Sequence, residues 1–423
     1  MEFRCNPCDF TRSRQLTLEH TLGFLISLSC ARNGNGYDIT SQNYFRELGS
    51  HLGESIIPAT RQSVSEARAK LRWEAVENLL GWANLERDGL PEHLKFLGHV
   101  TRAIDGTSFF TSASPELLEH FSRRKTRSEE GETHYPYGLC VTAINVFTDQ
   151  PVAAVVDDYR VSERELLKRM IAKFDRGDLA LLDRGLGGAQ IYLEFDAHNQ
   201  FYIHRAKTTG DRVAGYIAQF LASGKDQKST KIQVKDEASG RIVKLKLRLI
   251  LGPIDSEGKP ILFVTNLRGK NRYPRASIIE LYTRRWCVET MYNRVKNLLN
   301  LENFHARTYN GVMQEIFSNL LVLSLAAAAS SCAIDERGMN PEETRPNFKN
   351  ATEVVRRHLF SNIDHKIVGL GPKKLLRQII EEVAAVTYTI RPGRSYPRVS
   401  MQPIQSWNLK KSAKLRAFQQ LRA

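Results

Sequence analysis

Four residues between Tyr273 and Asn300 have the types and spacing to handle a phosphate chain: Tyr282, Arg285, Glu289 and Lys296. At about 100° per residue, with Tyr282 at zero, the other three fall near 300°, 340° and 320°, so the four share an arc of roughly 60° on one helix. Val288, Met291, Val295, Leu298 and Leu299 fall nearly opposite and can anchor the segment in a core. One carboxylate among a phenol, a guanidinium and an ammonium suits a metal ion beside phosphates. A solvated face with ordinary helix salt bridges has the same look, and the spacing alone favours that reading. Two further carboxylates shift the balance. Asp105 ends an apolar run in Ala-Ile-Asp-Gly-Thr-Ser, and Asp183 ends another in Leu-Leu-Asp-Arg-Gly. A lone strand-terminal Asp is often only a turn former. Ends of neighbouring strands meet at one sheet edge, however, and a helix packed there can add a third ligand. Three hard oxygen ligands with no His or Cys cluster nearby favour Mg²⁺ or Mn²⁺ over zinc. Two such ions serve in-line phosphoryl transfer by activating the attacking oxygen and stabilising the leaving one.

The elements that must position these residues follow from periodicity. Leu16–Ala31, Ile39–Leu52 and Gln62–Leu85 carry apolar residues at helical spacing, which makes residues 1–98 a helical region. Within it, Pro58–Leu71 starts with Thr and Ser and continues with Arg68 and Lys70. That fits a helix entering a DNA groove as well as it fits a plain capped helix. From His99 the texture turns to strands: His99–Ile104, Gly138–Phe147, Val152–Val156, Asp178–Leu182 and Gln200–His204. Amphipathic helices are expected at Ser162–Phe174 and Leu186–Phe195. Residues 206–266 depart from this alternation and read as a β-rich insertion. There, Arg241–Arg248 puts basic side chains on one side of a strand. Arg123–Arg127 is a basic loop suited to phosphates or to plain solvent. The tyrosine-to-lysine segment is expected as one long helix, with Val312–Ala329 a buried helix after it.

A chain of 423 residues should divide into two to four domains. The expected layout is a helical DNA-binding region at 1–98, an α/β catalytic region at 99–330 interrupted by 206–266, and a basic C-terminal region at 331–423 for DNA binding or dimerisation. The net charge of +15 points to a polyanion. Residues 341–423 hold 16 Lys and Arg against 6 Asp and Glu, so two thirds of that excess sits in the last fifth of the chain. The six cysteines are scattered with no secretory signal before them, which leads to the expectation of a reduced cytoplasmic protein. Cys5-x2-Cys8 matches no standard zinc spacing. The most apolar stretch, Phe317–Ala329, is interrupted by polar residues and short for a bilayer, so no membrane partner is expected.

Tyr282-x2-Arg285-x3-Glu289-x6-Lys296 resembles the full signature of the IS4-type DDE transposases, a bacterial insertion-sequence group. Thr265-Asn-Leu267, Tyr273-Pro274 and Trp286 resemble the family's approach to its glutamate. Asp105-Gly-Thr-Ser and Leu182-Asp-Arg-Gly resemble its two aspartate motifs. The separations are 183 − 105 = 78 and 289 − 183 = 106 residues. The longer gap is where the family inserts a mainly β domain. The resemblance covers roughly residues 40–330. It implies an RNase H-like core, two Mg²⁺ ions (or Mn²⁺) on Asp105, Asp183 and Glu289, and backbone contacts to DNA from Tyr282, Arg285 and Lys296. It also implies cut-and-paste transposition on double-stranded DNA by a homodimer that pairs two inverted repeats. Arg205 resembles a basic position that touches DNA. Members that pass through a DNA hairpin hold a flipped base with a Trp of the inserted domain. This chain has none between 184 and 285, leaving Tyr216 or Phe263 as substitutes. Alternative readings are a nuclease of the same fold without strand transfer, or a non-catalytic DNA-binding descendant.

Overall fold

The computed structural model of the protein describes residues 3–12, 15–29, 36–84, 90–125, 131–210, 213–255, 258–298, 304–363 and 371–391; for 51, 52, 293–298, 359–363 and 372 it describes the backbone alone. Its centre is a mixed sheet of nine strands. These are β1 (Thr101–Phe110), β2 (Ser122–Lys125), β3 (Glu132–Asn145), β4 (Pro151–Asp158), β5 (Leu179–Leu182), β6 (Phe201–Ala206), β7 (Gln227–Lys235), β8 (Ile242–Ile254) and β9 (Pro260–Thr265). The order is β2-β3-β1-β5-β6-β9-β8-β7, with β4 also on β3. The long β3 serves two partners along one edge: β2 pairs with its first half and β4 with its second. β1 runs antiparallel to β3 and parallel to β5, and β5 parallel to β6.

The strands of residues 206–266 do not form a sheet of their own. β9 pairs with β6, β8 with β9 and β7 with β8, all antiparallel, so the expected insertion prolongs the central sheet. Arg248 sits in this extension. It was expected among the basic side chains on one side of this strand, and it is 1% exposed. Its guanidinium donates to the Tyr273 carbonyl at 2.8 Å and to Gln227 Oε1 at 2.7 Å, so it holds the loop before the tyrosine-bearing helix. Lys244 and Lys246 do stay exposed.

Both faces of the sheet are covered, which explains why β5 reads Leu-Ala-Leu-Leu without polar alternation. Leu179 and Leu181 belong to one core and Ala180 and Leu182 to the other. The N-terminal helices are α1 (Leu18–Ser29), α2 (Tyr37–Leu52), α3 (Arg61–Ala69) and α4 (Glu74–Ala83), followed by the short α5 (Pro115–His120). On one face lie α6 (Glu163–Ile171), α7 (Ala189–Ala197) and α8 (Gly215–Ala222), through Leu166, Met170, Phe195 and Phe220. The other face packs against α9 (Arg275–Thr283), α10 (Cys287–Leu298) and α11 (Tyr309–Arg337), with α1 and α4 beyond. The chain continues through β10 (Thr344–Pro346), α12 (Phe348–Ile363), α13 (Pro372–Ala384) and β11 (Thr387–Thr389). β10 and β11 pair as a separate ribbon.

α11 is longer than the apolar stretch that marked it, and by length and composition it could cross a bilayer. Here it is a core helix. Ala326, Ala329 and Ala333 let α12 and α13 approach closely, packing on Ala351, Val354 and Val383.

The periodic run Gln62–Leu85 divides into two helices. The Thr60 side chain caps α3 by accepting from the Ser63 amide at 3.2 Å. Arg68 turns inward, 4% exposed, rather than toward a DNA groove. It bonds Glu315 at 2.9 Å, Gln314 at 3.0 Å and the Gly311 carbonyl at 2.9 Å, tying α3 to the start of α11. Cys30, the basic residue Arg127 and the tail beyond 391 lie outside the described residues.

Candidate functional site

In the parallel pair of β1 and β5, Ile104 is level with Leu182. The next residues, Asp105 and Asp183, therefore follow at the same height on adjacent strands. Side chains alternate along a strand. Both aspartates thus share the face of Ala103 and Leu181, which is the face covered by α9, α10 and α11. Asp183 does end its strand. Asp105 does not: β1 runs on to Phe110, because the polar Asp-Gly-Thr-Ser segment stays paired with β3 from Thr142 to Leu139.

The tyrosine-to-lysine segment is not one continuous helix. α9 ends at Thr283, Arg284–Trp286 form a 3₁₀ turn, and α10 begins at Cys287. Such a turn between α-helices re-aims the side chains that follow. Two tyrosines fasten the segment to the aspartate strands. The Tyr282 hydroxyl donates to the Leu182 carbonyl at 3.0 Å, and the Tyr292 hydroxyl to the Asp105 carbonyl at 2.7 Å. Tyr282 also packs its ring on Phe263, 4.7 Å between centroids. Its hydroxyl is buried and committed, which does not fit the expected contact with a DNA phosphate. Phe263 is 2% exposed beneath it and cannot receive a flipped base.

Arg285 is 4% exposed. It bonds Glu289 Oε1 at 3.2 Å and lies 5.1 Å over the Trp286 ring. Trp286 is half exposed. The Lys296 side chain lies outside the described residues, though its backbone continues α10.

The electrostatics join these groups into one site. Burial raises the Asp105 carboxyl above its usual range. The Gly106 amide and Arg285 pull it down, and Asp183 and Glu289 push it up. Burial alone would lower the Arg285 guanidinium, but Tyr282, Asp183 and Asp105 outweigh it and hold the charge firmly on. Arg285 is thus a buried cation paired with Glu289 and within electrostatic reach of Asp105 and Asp183. The donor set is all oxygen, which fits Mg²⁺ or Mn²⁺. Among the described residues no three His, Cys, Asp or Glu side chains are already gathered at metal-binding distance.

Arg205, on β6, pairs with Asp255 at 3.3 Å and is mostly buried. Tyr216 is half-buried against Tyr192.

Three residues with a place at this site carried no motif. Tyr292 stands ten residues after Tyr282, a helical spacing that returns it near the same face. Glu163, at the first turn of α6, lies against Gly106. Burial, Asp105 and Asp183 all raise its carboxyl. His204 supports the loop after Asp183. A Cβ on Gly187 would sit 2.1 Å from its ring, so only glycine lets the loop lie flat on the imidazole. The ring bonds the Tyr192 hydroxyl at 2.6 Å, and burial lowers its pKa to about 4, which keeps it neutral.

Comparison with known proteins places the chain in a family. The family model described as the transposase DDE domain matches residues 97–325. Transposase InsG for insertion sequence element IS4, from Escherichia coli strain K12, is 22% identical over 397 residues, which cover 92% of this chain and 86% of that protein. A cryo-EM structure of the piggyBac transposase synaptic complex with hairpin DNA aligns with 93% of this chain and 80% of its own, at 10% identity and a TM-score of 0.43. The family match spans more than half of the sequence and takes in both aspartate strands, Glu289 and the tyrosines that hold them together, and on it the chain belongs to the DDE transposases, with an IS4-type transposase among its relatives.

Proposed function

We propose that the protein is a DNA transposase that binds the terminal inverted repeats of an insertion sequence and carries out metal-dependent cleavage and strand transfer. The observation that carries this reading is the common height of Asp105 and Asp183 on β1 and β5, with Glu289 on α10, which Tyr292 ties to β1, and with α9 just before it tied to β5 by Tyr282. In this reading Asp105, Asp183 and Glu289 hold two Mg²⁺ ions, with Mn²⁺ as a substitute. When bound, such ions activate the attacking oxygen and stabilise the leaving one.

The chain's own residues do the rest. The tyrosine clamps fix the separation of the carboxylates. Arg285 neutralises excess negative charge when they stand alone. Arg285 and Lys296 then hold backbone phosphates beside the scissile bond, and Arg205 extends that basic track once exchanged from Asp255. The strand sequence β4-β3-β1-β5-β6, three antiparallel followed by two parallel, supports an RNase H-like core. In the same proposal, residues 1–98 bind the ends, 206–266 are an insertion within the catalytic region, and the basic region 331–423 contacts DNA or a second copy in a homodimer.

The test is a strand-transfer assay with precut inverted-repeat ends and Mg²⁺. Joined products are expected. Nicking without joining would identify a nuclease of the same fold, and neither product with intact binding would identify a non-catalytic DNA-binding protein.

A further inference from the structure

We propose that Glu163 is a fourth carboxylate of the metal centre, reaching it from the α6 side of β1, where Gly106 leaves room for it. This rests on the reading of Asp105, Asp183 and Glu289 as metal-holding residues. Ile104 belongs to the core under α6, so Gly106, two residues on, faces α6 as well. A Cβ built on Gly106 would lie 2.6 Å from Glu163 Oε1, 3.0 Å from Cδ and 3.1 Å from Cγ. The carboxylate therefore rests on the strand backbone at Gly106, the residue after Asp105. Any side chain at position 106 would push it away.

Its surroundings set it apart from other carboxylates on and near α6. Glu165 has Lys168, and Asp157 has Arg169. The adjacent Arg164 is turned to the loop after Asp183, its Nε donating to the Gly185 carbonyl at 2.9 Å. Glu163 is half-buried, and no cation or hydrogen-bond donor pairs with it among the described residues. The charges that act on it are those of Asp105 and Asp183. Four carboxylates against the single Arg285 guanidinium form an acidic neighbourhood that divalent cations would suit. A first-turn glutamate also favours a helix N-terminus. The Ser162 side chain already caps this one by accepting from the Glu165 amide. The two roles predict opposite changes in metal-free stability.

The experiment titrates Mn²⁺ into the metal-free full chain, read by the electron paramagnetic resonance of free Mn²⁺ and by calorimetry, with melting temperatures taken in chelator. Glu163→Gln is expected to weaken Mn²⁺ binding by roughly tenfold or more and to raise the metal-free melting temperature by relieving repulsion. Gly106→Ala should weaken Mn²⁺ binding alike, and adding it to Glu163→Gln should cost nothing further, as coupled changes do. Unchanged Mn²⁺ binding in Glu163→Gln, with binding lost in Asp105→Asn, would overturn the role of Glu163 alone. A lower metal-free melting temperature in Glu163→Gln would overturn it in favour of a helix-terminal role. Unchanged binding in Asp105→Asn as well would overturn the metal-holding reading on which the proposal stands.

Discussion

The Tyr282 hydroxyl donates to the Leu182 carbonyl, and the next residue along that strand is Asp183. One hydrogen bond thus links the helix leading to Glu289 with the strand end that presents an aspartate. Tyr282→Phe keeps the ring against Phe263 and removes this bond together with the hydroxyl's contact with Arg285. It should cost about 1 kcal/mol in urea denaturation. It should also slow cleavage while leaving end binding unchanged. A variant that cleaves at the wild-type rate would show that the bond has no part in setting the site.

Asp105→Ala, Asp183→Ala and Glu289→Ala should each reduce cleavage by about 10³-fold or more, the scale seen when a group stabilising the transition state is lost. Binding to inverted-repeat DNA should be nearly intact in gel-shift assays. Chelation of divalent ions should have the same effect on the unaltered protein. Metal-dependent cleavage retained in any one variant removes that residue from the site.

Arg285→Lys keeps the charge but loses the planar fork that reaches Glu289. Breaking a fully buried pair costs about 3–5 kcal/mol. Glu289 is 31% exposed and the charge is retained, so a loss on the order of 1 kcal/mol is expected. Cleavage should fall more than DNA binding does. If the two fall together, Arg285 acts only by binding phosphate.

The Arg68–Glu315 pair gives a pH signature. Burial pushes the Glu315 carboxyl up, but Arg68 and His305 overcome it and leave it below the usual range. A depressed folded-state pKa contributes stability above the ordinary carboxylate range, and that stability is lost as pH falls through the folded value. Arg68→Met should cost about 3–5 kcal/mol near neutrality. It should also shift acid unfolding, followed by circular dichroism, to higher pH. An unmoved acid midpoint would place the acid sensitivity elsewhere.

What could be read from the sequence follows from how local each signal is. The apolar runs of β5 and β6 and the periodicity of α1 and α2 are set by neighbours in the chain, and they are found where expected. Asp105-Gly-Thr-Ser has the composition of a turn and is strand only because β3 pairs with it, a partner more than thirty residues away. The break at Arg284–Trp286 has no proline or glycine to announce it. Asp105, Asp183 and Glu289 can be proposed as a set from the sequence because their motifs resemble those of a family. Glu163 and His204 cannot, since each gains its place through a glycine on another element, Gly106 or Gly187. Arg68 and Arg248 look like surface cations in sequence. Only packing shows that their charges are spent on Glu315 and on the Tyr273 carbonyl.

α11 has a consequence for dissection and grafting of the protein. The expected cuts at residues 98 and 330 would each strip partners from the same rod: α1 and α4 on one side, α12 and α13 on the other. A fragment 99–330 would leave Phe317, Leu320, Ala326 and Ala329 bare to water and should be insoluble when produced alone. The protein is therefore not modular along its sequence. Exchange of end-recognition parts between relatives should succeed only when the rod travels with the helices that wrap it.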